Sequence, residues 1–138
     1  MHEKLPAIGL LIIRLILGVS LMIHGLPKLA GGADKWTALG SVMGMFGITF
    51  APVFWGFMAA ISEFFGGLFL ALGLFRKTSC LLIFSTMLVA ALMHTMKGDP
   101  SGKILHPLEI GFTVVGLFFT GYGSISLDYI LRRVRGEK

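Results

Sequence analysis

The sequence predicts an all-α integral membrane protein, a four-helix bundle with short amphipathic interfacial helices after the first and fourth helices. Of its 138 residues, 55% are hydrophobic and only 14% are charged, whereas a soluble domain carries about 25% charge. Four apolar stretches, at about 7–29, 52–75, 78–96 and 104–122, each approach the roughly 20 residues that cross a bilayer core. Backbone groups must pair internally in hydrocarbon, so each stretch must be helical. We expect residues 1–138 to form a single transmembrane domain.

The first stretch has some features of a cleaved signal peptide, because Lys4 precedes it and small residues follow Leu29. The apolar run is nevertheless too long for the core of a signal peptide. It also contains two ionisable residues, Arg14 and His24. We therefore expect a retained transmembrane helix.

Prolines and glycines indicate where the later helices begin and end. Pro52 and Pro107 fall in the first turns of the second and fourth helices, where the missing backbone N–H costs nothing. Gly121 and Gly123 are expected to end the fourth helix. Because this Gly-x-Gly pair follows a transmembrane helix rather than a strand, it does not indicate a nucleotide site.

Two shorter segments are predicted to lie along the membrane surface. After the first helix, Asp34 is a suitable N-cap, and apolar residues then recur at helical spacing. These apolar residues are Trp36, Leu39, Met43 and Phe46. After the fourth helix, Ser126 is placed to cap a helix at 127–135. Its apolar face would meet lipid, and its three arginines would meet anionic headgroups.

Charge and cysteine content exclude several functions. The net charge of +5 does not indicate nucleic-acid binding, because the basic residues form short clusters with no basic face interleaved with aromatics. The single cysteine, Cys80, excludes an internal disulfide and any paired-cysteine redox or zinc motif. The expected partners are the lipid bilayer and either other protein subunits or further copies of the chain.

The distribution of lysine and arginine predicts a multi-pass protein of the cell (inner or plasma) membrane with both termini in the cytoplasm. With the termini inside, seven basic residues lie on the cytoplasmic side: Lys4, Arg76, Lys77, Arg132, Arg133, Arg135 and Lys138. Four lie on the other side: Lys28, Lys35, Lys97 and Lys103. Basic residues accumulate on the cytoplasmic side of membrane proteins, so this orientation is favoured.

Ionisable residues within the predicted spans are functional candidates, because they are costly in a membrane. They are Arg14, His24, Lys28, Glu63, His94, His106 and Glu109. Glu63 lies on a stripe of small residues in the second helix, which is expected to face the bundle interior. Arg14 is long enough to reach it. We therefore predict a buried Arg14–Glu63 ion pair, which would often be a structural clamp.

Four of the other candidates are predicted to form a polar site near the outer membrane face. At about 1.5 Å per residue, His24, Lys28, His94 and Glu109 fall towards the outer ends of their helices. Two histidines beside a carboxylate would suit a metal, a proton relay or a quinone headgroup. We assign no metal and no definite cofactor, with quinone among the ligands that fit. The alternatives are structural: Lys28 would then extend to the outer headgroups, and His106 would simply lie at the interface.

A series of spaced motifs covers nearly the whole chain. They are Arg14 with Gly18, His24-Gly25-x-x-Lys28, Glu63-x-x-Gly66-Gly67, Leu72-Gly73-Leu74-Phe75-Arg76, His94, Glu109, and Gly121-x-Gly123-x-x-Ser126-Leu127-Asp128. In order and spacing they resemble the DoxX family of bacterial and archaeal membrane proteins. The resemblance implies a four-helix membrane fold and a link to redox systems. Relatives include a subunit of thiosulfate:quinone oxidoreductase and a partner of membrane-associated antioxidant and sulfurtransferase enzymes.

Three functions are open at this point. The first is a membrane subunit of a redox-linked complex that contacts quinone through the outer polar site. The second is a scaffold or assembly subunit without a site of its own. The third is a proton or small-solute carrier that uses Arg14, Glu63 and the histidines. The sequence has no flavin fingerprint and no cysteine pair, so an electron carrier would come from a partner or from quinone.

Reporter fusions test the predicted topology. A reporter fused after Lys138 is expected to lie in the cytoplasm and one inserted at Gly98 on the other side, because the larger lysine and arginine excess accompanies the termini. A fusion at Lys77 serves as the control and is expected to report the same side as Lys138. Reporters at Lys138 and Gly98 on the same side would rule out four crossings.

Overall fold

The computed structural model describes residues 4–136, except for the side chain of Lys4, and these residues form six α-helices. The helices are α1 (Lys4–Leu29), α2 (Gly32–Gly40), α3 (Pro52–Leu72), α4 (Arg76–Met96), α5 (Ser101–Thr120) and α6 (Leu127–Val134), with a 3₁₀ helix at Ser41–Phe46. No strand occurs in this part of the chain. Lys138, one of the seven basic residues predicted to lie on the cytoplasmic side, is outside the described residues.

Four of these helices, α1, α3, α4 and α5, are long and apolar enough to cross a membrane. Large apolar side chains cover their outer surfaces, and several are more than half exposed: Ile12, Ile16 and Ile23 on α1, and Phe112 and Phe119 on α5. An exposed apolar surface of this extent is typical of contact with lipid rather than water. The predicted fold class is therefore confirmed, including the shorter helices after the first and fourth spans.

Helices that are neighbours in sequence are also neighbours in space. α1 packs along α3, α3 along α4, and α4 along α5, whereas α1 and α5 do not pack closely along their length. The core between the helices is apolar, with Leu21, Leu70, Ile83 and Val114 almost fully buried. We call the end that holds the α3–α4 turn and α6 the terminal end. The end that holds α2 and the α4–α5 loop is the loop end.

The turn between α3 and α4 comes earlier in the chain than the sequence predicts, at residues 73–75 rather than 76–77. The predicted helix continued to residue 75, but α3 ends at Leu72 because Gly73 adopts a left-handed conformation, with φ of 69°. Phe75 is also left-handed, with φ of 49°, which is unusual for a residue with a side chain. The carboxylate of Asp128 holds this turn, because its two oxygens accept from the backbone N–H groups of Phe75 and Arg76 at 3.1 Å each.

The same aspartate anchors α6 to the rest of the molecule. The Asp128 N–H donates to the Gly73 carbonyl at 2.9 Å, so backbone and side chain of one residue both bind the α3–α4 turn. The Ser126 hydroxyl accepts from the Tyr129 N–H at 3.3 Å, which confirms Ser126 as the N-cap of α6. The terminal end is therefore a connected polar structure rather than a loose tail.

Glycines allow α1 and α3 to pack backbone against backbone. A Cβ added at Gly18 would lie 2.5 Å from the Gly67 carbonyl oxygen, and one at Gly25 would lie 2.7 Å from the Phe64 nitrogen. Small residues at such contacts let membrane helices approach closely, where dispersion and weak polar contacts replace the hydrophobic effect. This contact fixes the register between α1 and α3.

The short helix after α1 packs against α3. The Trp36 carbonyl lies where a side chain at Gly56 would be, and the Pro52 carbonyl lies where a side chain at Gly40 would be. Because residue 36 pairs with 56 and residue 40 with 52, α2 runs antiparallel to the first turns of α3. The prediction that Asp34 is the N-cap of this helix is wrong. α2 begins two residues earlier, at Gly32, so Asp34 lies in its first turn.

A matched pair of glycine substitutions on α1 tests this packing. Gly18→Ala is expected to destabilise the protein by about 1–3 kcal/mol, the usual cost of overpacking a close contact. Gly9→Ala is the control, since a Cβ at Gly9 would meet nothing within 4 Å and alanine favours the helix. Thermal unfolding in mild detergent gives the comparison. Equal melting temperatures for the two variants would contradict the close α1–α3 contact.

Candidate functional site

The most completely paired charge inside the bundle is Glu63 on α3, and its partner is Lys28. The Lys28 Nζ lies 2.5 Å from Oε1 and 2.7 Å from Oε2 of the Glu63 carboxylate. The Glu63 side chain is 7% exposed and that of Lys28 is 32% exposed. The predicted Arg14–Glu63 pair therefore does not form, and Lys28 replaces Arg14 as the partner of this carboxylate.

The register between α1 and α3 explains the change of partner. Gly25 packs against the backbone of Phe64 and Glu63, so Lys28, one turn further along α1, reaches back to the carboxylate. Arg14 instead lies beside Gly73, ten residues beyond Glu63, which is about 15 Å along the helix. Counting residues from the end of each helix gives the depth of a residue along that helix only. It contains no information on how the helices are staggered, so it did not predict the separation of Arg14 from Glu63.

Residue Trp36 of α2 supports the Lys28 end of the pair. Its indole Nε1 donates to the Lys28 carbonyl oxygen at 2.9 Å, and its ring packs on Phe57 of α3 with centroids 4.7 Å apart. The Lys28 carbonyl lies in the last turn of α1, where intrahelical partners run out, and it also accepts from the Gly31 N–H at 3.3 Å. The sequence indicated Trp36 only as part of an apolar stripe, so this role was not predicted.

A second buried charge, Arg14, lies at the terminal end. Its side chain has no exposed surface, Nη2 donates to the Ile125 carbonyl at 2.5 Å, and the guanidinium lies 5.3 Å from the centre of the Tyr122 ring. Nε and Nη1 have no hydrogen-bond partner among the described residues. Arg14 thus binds the segment after α5 through a carbonyl and an aromatic face rather than a counter-ion.

His94, in the last turn of α4, belongs to a separate polar group around the α4–α5 loop. Its Nδ1 lies 2.7 Å from an Asp99 carboxylate oxygen, and Lys103 lies 3.5 Å from the other oxygen. The hydrogen bond with His94, together with the charge of Lys103, holds the pKa of Asp99 below its ordinary value. Asp99 was not among the sequence candidates, although its spacing from Lys103, four residues, is that of a helical ion pair.

The residues of the predicted outer site His24, Lys28, His94 and Glu109 do not bind one another: Lys28 pairs with Glu63 and His94 with Asp99. His24 and Glu109 are exposed, and neither has a side-chain hydrogen bond or ion pair within residues 4–136. The described residues contain no cluster of three or more histidine, cysteine or acidic side chains that could hold a metal. Equal depth along separate helices does not bring side chains together, since α1, which carries His24, and α5, which carries Glu109, do not pack closely along their length.

The Lys28–Glu63 pair has the arrangement of a binding site as well as of a clamp. The carboxylate is enclosed, whereas about a third of the lysine side chain is accessible. An ammonium group has three N–H donors, and the two contacts of the Lys28 nitrogen go to a single carboxylate, so they occupy at most two donors. The third can therefore bind an acceptor without breaking the pair. His24, one turn before Lys28, lies on the same side of α1 and is also exposed.

Comparisons with known proteins point to one family. The DoxX family model matches residues 9–96. A Bacillus subtilis (strain 168) protein named "Putative oxidoreductase CatD" is 26% identical over 121 residues, which cover 88% of this chain and 85% of that protein. No solved structure matches.

Removing either partner of the Lys28–Glu63 pair is expected to have unequal effects. Lys28→Met leaves an enclosed carboxylate without a partner, which typically costs about 3–5 kcal/mol. Glu63→Gln leaves a partly exposed ammonium that can extend towards water, so it is expected to cost less. The double variant is expected to recover part of the loss in thermal stability, measured in mild detergent.

Two controls distinguish this pair from other charges. Glu109→Gln removes an exposed carboxylate and is expected to change the melting temperature little. Arg14→Met combined with Glu63→Gln is expected to show additive losses, because distant groups without shared partners do not couple. Additive losses for Lys28 and Glu63 as well would contradict the pair.

Proposed function

The chain belongs to the DoxX family, and we propose that it is a membrane subunit of a redox-linked complex that binds a quinone headgroup at the Lys28–Glu63 pair. The observation that carries this proposal is a half-buried ammonium group inside an apolar bundle, with one N–H donor to spare. The oxidoreductase name of the Bacillus subtilis relative supports a redox context.

The chemistry of the pair suits a quinone. A quinone headgroup is neutral and carries two carbonyl oxygens, so it can accept a hydrogen bond from Lys28 without adding a charge to the membrane interior. Glu63 holds the ammonium from the enclosed side through both carboxylate oxygens, which keeps the donor in position. The hydrogen bond from a charged donor is stronger than one between neutral groups.

His24 adds a second polar group at the same side of α1. It precedes Lys28 by one turn, so the two side chains are neighbours on the helix surface, and it is exposed to the surroundings of the bundle. Histidine exchanges protons near neutral pH. A bound quinone takes up two electrons and two protons on reduction, with the electrons supplied by a redox-active partner subunit. His24 would connect the bound headgroup to the proton supply.

The orientation and extent of the subunit form part of the proposal. Arg76, Lys77, Arg132, Arg133 and Arg135 all lie at the terminal end, which favours a cytoplasmic position for that end and hence for both chain termini. Residues 1–138 would then act as one transmembrane domain in the cell membrane. The quinone site would be reached from the lipid beside α1.

Direct binding measurements test the proposed function. The purified protein in detergent is titrated with a short-chain quinone, and saturable binding is expected. The variant Lys28→Met with Glu63→Gln, expected to fold because both charges are removed, should bind about 10- to 100-fold more weakly, since hydrogen bonds to charged groups contribute about 1.5–3 kcal/mol. Lys35→Met is the control, because Lys35 is exposed on α2.

Binding by this double variant that equals the wild type would exclude the pair as the site. If the wild type shows no saturable binding at all, the redox role fails. A stable protein partner recovered under the same conditions would then support the scaffold hypothesis.

A further inference from the structure

A basic cleft of about 510 Å³ opens at the terminal end, away from the Lys28–Glu63 pair. It lies between the start of α4, the segment after α5, and α6. Four cationic side chains line it, and they are Arg76, Lys77, Arg132 and Arg135. None of the four forms an ion pair within residues 4–136. Such a concentration of positive charge attracts an anion.

The one carboxylate in the cleft forms no ion pair with these cations, so four positive charges face a single negative one. Asp128 lines the cleft, but its two oxygens accept from the backbone N–H groups of Phe75 and Arg76. The aspartate therefore serves the first turn of α4, where the helix dipole favours a negative charge. Tyr129, which also lines the cleft, is exposed and contributes a hydroxyl group rather than charge, whereas the hydroxyl of the buried Tyr122 is bonded to Ser79.

An apolar groove of about 200 Å³ lies next to the cleft, on the seam between α4 and α5. Six residues line it: Cys80, Leu81, Phe84, Val115, Phe118 and Phe119. The groove begins within one helical turn of the cleft, because Lys77 and Thr78 line the cleft and Cys80 lines the groove. Tyr122 lies between the two, since it lines the cleft and its hydroxyl lies 3.6 Å from the Cys80 sulfur.

We propose that the cleft and groove together bind one anionic phospholipid, with the phosphate in the basic cleft and an acyl chain in the apolar groove. The arrangement matches an amphiphile, with cations at the helix ends and an apolar groove that begins about one helical turn from them. Basic pockets between transmembrane helices are suited to anionic headgroups. A soluble phosphate would use the cleft but would have no use for the groove.

Position supports the same ligand. The apolar side chains of α6 are exposed, with Ile130 at 52% and Val134 at 81%, so this helix is suited to lie at the surface of the bilayer. Its arginines Arg132 and Arg135 then face the cleft at headgroup level. The site is separate from the proposed quinone site, so either proposal can fail without the other.

Lipid binding to the full chain in detergent tests the proposal. Native mass spectrometry compares phosphatidylglycerol with phosphatidylcholine of the same acyl chains, and one tightly retained phosphatidylglycerol is expected. Lys77→Gln with Arg132→Gln should weaken this binding about 30-fold, because each cation near an anionic headgroup contributes about a fivefold increase in affinity. The matched control is Lys35→Gln with Arg133→Gln, since neither residue lines the cleft.

A second variant tests the groove separately from the charges. Val115→Phe fills the groove and is expected to weaken binding of long-chain phosphatidylglycerol while leaving a short-chain form unaffected. Equal retention of phosphatidylcholine, or equal losses in the matched control, would overturn the proposal. So would full displacement of the lipid by inorganic phosphate, because the cleft would then be a site for the soluble ion.

Discussion

The close backbone contact between α1 and α3 is the constraint on which the rest of this structure depends. Gly18 and Gly25 bring the two helices so near that a Cβ at either position would overlap the α3 backbone. This contact sets the stagger of the helices, and the stagger decides which charges meet. It places Lys28 against Glu63 and carries Arg14 past the end of α3 to the terminal end.

The surroundings of the bundle's two internal cations, the buried Arg14 and the half-buried Lys28, differ. Lys28 has a carboxylate partner, so the pair is nearly neutral and tolerates a position midway along α3. Arg14 has a carbonyl, an aromatic face and the closely packed Gly73, and it joins the chain segment after α5 to α1. The first arrangement leaves a donor available for a ligand, whereas the second uses the charge to connect distant parts of the sequence.

Most of the fold was predictable from the sequence, because bilayer thickness and backbone pairing in hydrocarbon leave few alternatives for four apolar stretches. The capping of α6 by Ser126 was predictable for a local reason, since a hydroxyl three residues before the bonded N–H is a sequence signal. The partners of the charged side chains were not predictable from the sequence. Lys28 and Glu63 are 35 residues apart and Arg14 and Ile125 are 111 apart, so only the stagger and lateral order of the helices bring them together.

The central claim, that the α1–α3 contact pairs Lys28 with Glu63, has one direct test. Solid-state NMR of the protein in lipid bilayers, with ¹⁵N-labelled lysine and ¹³C-labelled glutamate, measures the dipolar coupling between side-chain ammonium nitrogens and carboxylate carbons. We predict a strong coupling that disappears in Glu63→Gln and persists in Glu109→Gln. A spectrum in which no lysine nitrogen couples to the Glu63 carboxylate would contradict the account.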